Sequence, residues 1–76
     1  MATRRRKLRD LIRSGQSYLL MGRYDEAFAQ FNRAIALDPG NARAIAHRGE
    51  TYQEMERHDE ALADLSRAIA LNSSYT

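Results

Sequence analysis

The chain contains no cysteine and no tryptophan, and only one proline among its 76 residues. Without cysteine it has no disulfide framework and no thiolate metal site, and a reducing, cytoplasmic setting is expected. No apolar run approaches the roughly 18 residues needed to cross a bilayer. The basic opening MATRRRKLRD leads into no apolar stretch, so it does not read as a secretory signal. What is present, 43% hydrophobic and 29% charged residues with four glycines, is a globular composition rather than a disordered or collagenous one. The length allows one small domain. Chains this short rarely bury enough surface without a staple or self-association, which makes the oligomeric state a question at once.

The net charge of +2 is unevenly spread. Residues 1–13 carry six basic side chains against Asp10, whereas residues 14–76 carry six basic and nine acidic ones. Basic character therefore belongs to one end, in the arm Arg4, Arg5, Arg6 and Lys7 with Arg9 and Arg13.

The dominant signal is an internal repeat. Shifting the sequence by 34 residues pairs residues 8–42 with 42–76, and 14 of the 35 pairs are identical, Gly15/Gly49, Tyr18/Tyr52, Asp25/Asp59, Ala27/Ala61 and Ala34/Ala68 among them. This composition would give about three by chance. The chain is a duplicated unit.

Each unit reads as two helices. Leu8, Leu11, Ile12, Tyr18 and Leu19 recur at helical spacing, and Gly22 supplies a stop. Asp25 and Glu26 suit the start of a second helix, whose apolar stripe is Ala27, Phe28, Phe31, Ala34 and Ile35. Asp38-Pro39-Gly40 ends it, and Asn41 is an N-cap for the next. The expected helices are about 8–21, 24–37, 42–55 and 58–71. They follow a basic extension over 1–7 and divide into units 8–41 and 42–76. Gly15 with Ala27, and Gly49 with Ala61, would let the helices of each pair approach closely.

A 34-residue helix–turn–helix unit with Leu11, Gly15, Tyr18, Gly22, Tyr24, Ala27, Phe31, Ala34 and Pro39 at these spacings resembles a tetratricopeptide repeat (TPR). Ile45, Gly49, Tyr52, Ala61, Leu65 and Ala68 carry the same resemblance in the second unit, which covers residues 8–76 in all. It implies an all-α fold of two antiparallel helical hairpins stacked as a short right-handed solenoid. Both units are similar to those of long bacterial arrays, as an excised or engineered piece would be. The chain departs from the pattern at several points. Ser14 and Arg48 stand where the family usually has leucine, predicting weaker packing of the first helix of each unit. Glu56 and His58 replace the glycine and tyrosine of the second turn, and Ser73 replaces a proline.

Catalytic constellations are lacking. His47 and His58 fall on different helices without a thiol, Ser14, Ser17 and Ser66 have no recognisable His–Asp partners, and no phosphate loop occurs. The Glu50/Glu54 pair, at i,i+4, reads as a solvated face before it reads as a cation site. The expectation is a non-catalytic scaffold with no cofactor, no metal and no membrane partner.

By resemblance, the first helix of each repeat lines a concave groove for a peptide segment. The groove would present Arg9, Ile12, Arg13, Gln16, Leu19 and Leu20, then Arg43, Ala46, His47, Glu50, Gln53 and Glu54. Its first half is basic and its second mixed, suiting a peptide acidic at one end. The branch of the family that clamps a C-terminal carboxylate uses Lys and Asn there, and Ile12, Gln16, Ala46 and Glu50 do not match it. The last helix carries Leu62, Leu65, Ile69 and Leu71, with no following helix in the 76 residues to cover them, so self-association into a homo-oligomer, stacked or swapped, is expected. The alternatives are a basic-armed adaptor to nucleic acid or an anionic surface, or a repeat fragment with no ligand of its own. No aromatic is interleaved with the basic arm, which argues against nucleic acid; the arm reads as a solvated overhang.

Overall fold

The computed structural model describes residues 2–73. Four helices follow in order: α1 (Ala2–Leu20), α2 (Tyr24–Leu37), α3 (Ala42–Glu54) and α4 (His58–Ser73). Met1 and residues 74–76, the ends of the extension and of the second unit as delimited above, lie outside the described residues. No strand occurs among the described residues. Helix α1 packs on α2 and α3 on α4, while α2 against α3 joins the two hairpins and α1 barely meets α3. The body measures 36 × 29 × 17 Å.

The repeat is visible in the turns. Arg23 N–H bonds Tyr18 O at 2.9 Å and Gly22 N–H bonds Leu19 O at 3.1 Å. Thirty-four residues on, Arg57 N–H bonds Tyr52 O at 2.8 Å and Glu56 N–H bonds Gln53 O at 3.0 Å. Both are six-to-one and five-to-two closures that satisfy the last carbonyls of a helix, and such closures place one residue at positive φ. That residue is Gly22 at φ 77° and Glu56 at φ 62°. Each turn is then pinned in the same way. Arg23 pairs with Glu26 and lies over the Tyr18 ring at 5.3 Å, while Arg57 pairs with Glu60 and lies over Tyr52 at 5.3 Å. Asn41 caps α3 as expected, its Oδ1 accepting the Ala44 N–H at 2.9 Å.

Small residues set the inter-helix distances. An added Cβ on Gly15 would lie 2.4 Å from Phe31 Cε1, so the ring packs directly on the α1 backbone. A Cβ on Gly49 would lie 3.0 Å from Leu65 Cγ and 3.1 Å from Asp64 Cβ. Phe31, Ala27, Ala34 and Ala44 are fully buried and Ile12 nearly so, with Leu8, Leu11, Tyr18, Leu19 and Ile35 packed around them. Burying a phenylalanine-sized side chain contributes about 1.5–3 kcal/mol, so Phe31 anchors the first hairpin. Buried Thr51 satisfies its hydroxyl by donating to His47 O at 2.9 Å.

Three features differ from expectation. Helix α1 starts at Ala2, a turn and a half before the expected position, so the basic run is helical, with its side chains still exposed to solvent. A helix's own dipole disfavours cations at its start. The antiparallel neighbour reverses that, because Arg4 Nη2 donates to Leu37 O at the electronegative end of α2. Helix α4 runs on to Ser73, where no proline stops it. The third difference is Arg48, where leucine is usual. Its guanidinium is held by Asp64 and Asn32 from two other helices, a polar tie in place of an apolar contact.

Candidate functional site

Helices α1 and α3 run parallel and meet at Gln16 and His47, whose Nε2 atoms lie 3.2 Å apart. His47 also bonds Glu50 Oε1 through Nδ1 at 2.7 Å and stacks on Phe31 at 5.5 Å. This bridge divides the surface between the helices into two clefts.

The first, about 360 Å³, is lined by Arg5, Leu8, Arg9, Ile12, Arg13, Gln16, Asn41 and Arg43. Its floor is Leu8 and Ile12, part of the core or packed against it, and its rim is four exposed arginines. None of the four forms an ion pair among the described residues. The second, about 470 Å³, is lined by Leu19, Leu20, Gly22, Tyr24, Glu50, Gln53 and Glu54. Here Leu20 is 90% exposed, and the Tyr24 hydroxyl donates to Glu54 Oε1 at 3.3 Å.

Of the twelve residues placed in the groove from the sequence, ten line these two clefts and His47 forms the bridge between them. Ala46 turns the other way. It borders a depression of about 350 Å³ between α3 and α4, with Arg43, Leu65, Ala68 and Ile69. That depression brings Ala46 beside two residues of the expected self-association stripe. Within the stripe, Leu62 is 68% and Ile69 67% exposed, while Leu65 is half-buried against Gly49. Leu71 is half-buried too, and at 100° per residue it lies about half a turn round α4 from Leu62.

The basic arm is dispersed. Arg4 is bound to Leu37 O, Arg5 rims the first cleft, and Arg6 and Lys7 line a separate depression of about 250 Å³ beside Asp10, Leu11 and Ser14. Successive helical residues point about 100° apart, so the run makes no single basic face. Among the described residues no group of three or more His, Asp or Glu side chains is placed to hold a metal ion. His58 is exposed at the start of α4.

Reading the two units separately missed one cluster. Arg48 Nε and Nη2 reach the two Asp64 oxygens at 2.7 and 2.8 Å, and Nη1 donates to Asn32 Oδ1 at 2.9 Å. Hydrogen bonding to Asp64 is the main cause that holds the guanidinium above its ordinary pKa, with desolvation opposing and the Asp64 charge adding to it. The signal lay in comparing the units. Ser14 becomes Arg48 and Gln30 becomes Asp64, two coordinated changes that introduce opposite charges.

Family comparison agrees with this architecture. Residues 15–56 match the model described as TPR repeat, and residues 42–75 match the model described as tetratricopeptide repeat. Two helical hairpins joined edge to edge, with the first helix of each lining one surface, define a helical-repeat interaction module. The chain belongs to the tetratricopeptide repeat family, with consecutive repeats. No match was found among curated proteins. Repeats of this family serve as protein-interaction scaffolds, and no helix among the described residues is long and apolar enough to cross a membrane.

Proposed function

We propose that this chain is a non-catalytic scaffold whose α1/α3 surface binds an extended peptide segment. The observation that carries the reading is the pair of adjoining clefts. The first has an apolar floor of Leu8 and Ile12 beneath an arginine rim, and the second joins Leu19 and Leu20 to Glu50, Gln53 and Glu54. Apolar concavity with a few convergent polar groups is the usual form of a binding site. The test is amide chemical-shift mapping with selected peptides. Shifts clustered at Arg9, Gln16, Glu50 and Gln53 support the groove; shifts confined to α2 and α4 overturn it.

A second reading, self-association, rests on the internal symmetry. Leu62 and Ile69 stand 34 residues after Phe28 and Ile35, on the helix whose counterpart α2 is covered by α3. There Phe28 meets Tyr52 edge-on at 5.0 Å, and Tyr18 is the counterpart of Tyr52. Helix α1 of a second copy thus carries a matching residue for the α4 face. Light scattering across a hundredfold concentration range decides it. A dimer or larger species dissociated by Leu62→Glu or Ile69→Glu supports stacking, and an 8.7 kDa monomer throughout sinks it. The adaptor reading draws on the first cleft alone, where Arg5, Arg9 and Arg13 converge with Arg43, because Arg4, Arg6 and Lys7 lie elsewhere around α1.

A further inference from the structure

The two clefts carry opposite charge. Arg5, Arg9, Arg13 and Arg43 surround the first; Glu50 and Glu54 edge the second, and no lysine or arginine lines it. The four arginines lie over an apolar floor without a carboxylate, and Glu54 is met by a neutral phenol. Between the clefts sits the Gln16–His47 bridge.

We propose that the groove selects a peptide segment of mixed charge. An acidic side chain sits among Arg9, Arg13 and Arg43, and a basic one sits by Glu50 and Glu54. This rests on the groove reading above and adds the identity of the segment to it. The spacing follows from the helix. Glu50 and Glu54 lie about two and three turns beyond Arg43, or about 10 and 16 Å at 1.5 Å per residue. An extended chain advances about 3.3 Å per residue, so the two charged side chains stand about three to five positions apart. Screening keeps the two ends independent, because the Debye length is about 8 Å at physiological salt. Each cleft therefore reads its own end of the ligand. Phosphate chains and uniformly acidic peptides fit the first cleft but meet Glu50 and Glu54 in the second. The segment's middle crosses the Gln16–His47 bridge, where His47 already bonds Glu50 Oε1 at 2.7 Å and leaves the other Glu50 oxygen to the ligand.

Selection from a random nine-residue peptide library tests this, followed by affinity measurement and amide shift mapping, with a single-stranded oligonucleotide as competitor. The expected result is enrichment of an acidic and a basic residue three to five positions apart. Neutralising either end of a selected peptide should weaken binding about tenfold, and raising salt should weaken it further. The double variant Arg13→Glu, Arg43→Glu cancels the charge of the first cleft and should lose the original peptide's preference for an acidic end. Selected peptides that lack the charge pattern, yet shift Gln16 and Gln53, would overturn the charge rule and leave the groove reading intact. Failure to enrich any segment, or shifts that fall outside the groove, would overturn both. Tighter binding of the oligonucleotide at the same amides would overturn the proposal in favour of a phosphate ligand.

Discussion

Arg48 reaches both carboxylate oxygens of Asp64, at 2.7 and 2.8 Å, and ties α3 to α4 while its third nitrogen holds Asn32 of α2. It is the one ion pair between helices among the described residues, the other three joining residues i and i+3. The Asp64 side chain is 9% exposed and that of Arg48 24%. Removing one partner leaves the other partly desolvated and unpaired. Asp64→Ala should therefore lower stability by about 2 kcal/mol, less than a fully buried pair would cost. Replacing both, Arg48→Leu with Asp64→Leu, should restore much of that loss. Urea unfolding of Arg48→Leu, Asp64→Leu and the double measures the coupling, and additive losses would show that the pair contributes nothing as a pair. The pH behaviour also follows. The folded-state pKa of Arg48 is raised, so its contribution is complete below the ordinary guanidinium value and fades only as pH climbs above it. Ionisation of Arg48 should thus add no slope to stability between about pH 6 and 10.

The second turn holds Glu56 in the conformation that Gly22 adopts in the first, φ 62° against 77°. A side chain at positive φ is strained by its Cβ, at roughly 1 kcal/mol. Glycine would relieve that strain but carries more entropy in the unfolded chain. We expect Glu56→Gly to stabilise by about 0.5–1 kcal/mol and Gly22→Ala to destabilise by about as much. Thermal unfolding would show opposite displacements of the midpoint by a few degrees, about 4–8 °C per kcal/mol for a domain of this size.

Much of the architecture was legible because it is periodic. The 34-residue register located four helices, the two stops and the Asn41 cap, each from local chemistry such as Gly22 or Pro39. What escaped depended on partners distant in sequence. The first turn of α1 meets a partner in Leu37, 33 residues from Arg4, and nothing near Arg4 announces that contact. Arg48 looks like a packing fault within its own helix and becomes a tie only beside Asp64 and Asn32. Similarly, the groove residues were legible as a face of α1 and α3, but their division into two clefts required the Gln16–His47 contact. Ala46 turns toward α4 because α3 faces α1 on one flank and α4 on the other.

Gly15 and Gly49 occupy equivalent positions but should not respond equally to alanine. At Gly15 the new Cβ would press into three atoms of the Phe31 ring, at 2.4–2.8 Å, and that ring is fully buried. The ring cannot yield without moving α2, so Gly15→Ala should cost about 1–3 kcal/mol. At Gly49 the nearest atoms are Leu65 Cγ and Cδ2 and Asp64 Cβ, at 3.0–3.1 Å, so α4 need give by only a few tenths of an ångström. The helix propensity gained on replacing glycine, nearly 1 kcal/mol, should then leave Gly49→Ala within about 1 kcal/mol of neutral. Equal losses in denaturant unfolding would show that the two hairpins are packed alike at this point.

Arg4 and Arg9 are both exposed arginines on α1, yet they should behave as different kinds of residue. The Arg4 guanidinium caps α2 by donating to Leu37 O, a charge-assisted bond at the negative end of a helix. Arg9 rims the first cleft and pairs with no carboxylate among the described residues. Arg4→Ala should therefore lower stability by about 0.5–1 kcal/mol and leave affinity for a selected groove peptide within twofold. Arg9→Ala should leave the unfolding midpoint nearly unchanged, since a cation without a partner adds little to folding, but weaken that peptide severalfold. Urea unfolding and fluorescence anisotropy on the same two proteins separate these effects. If both variants lost peptide affinity alike, the N-terminal arginines would act as one diffuse cationic field, and the assignment of separate structural and binding roles would fail.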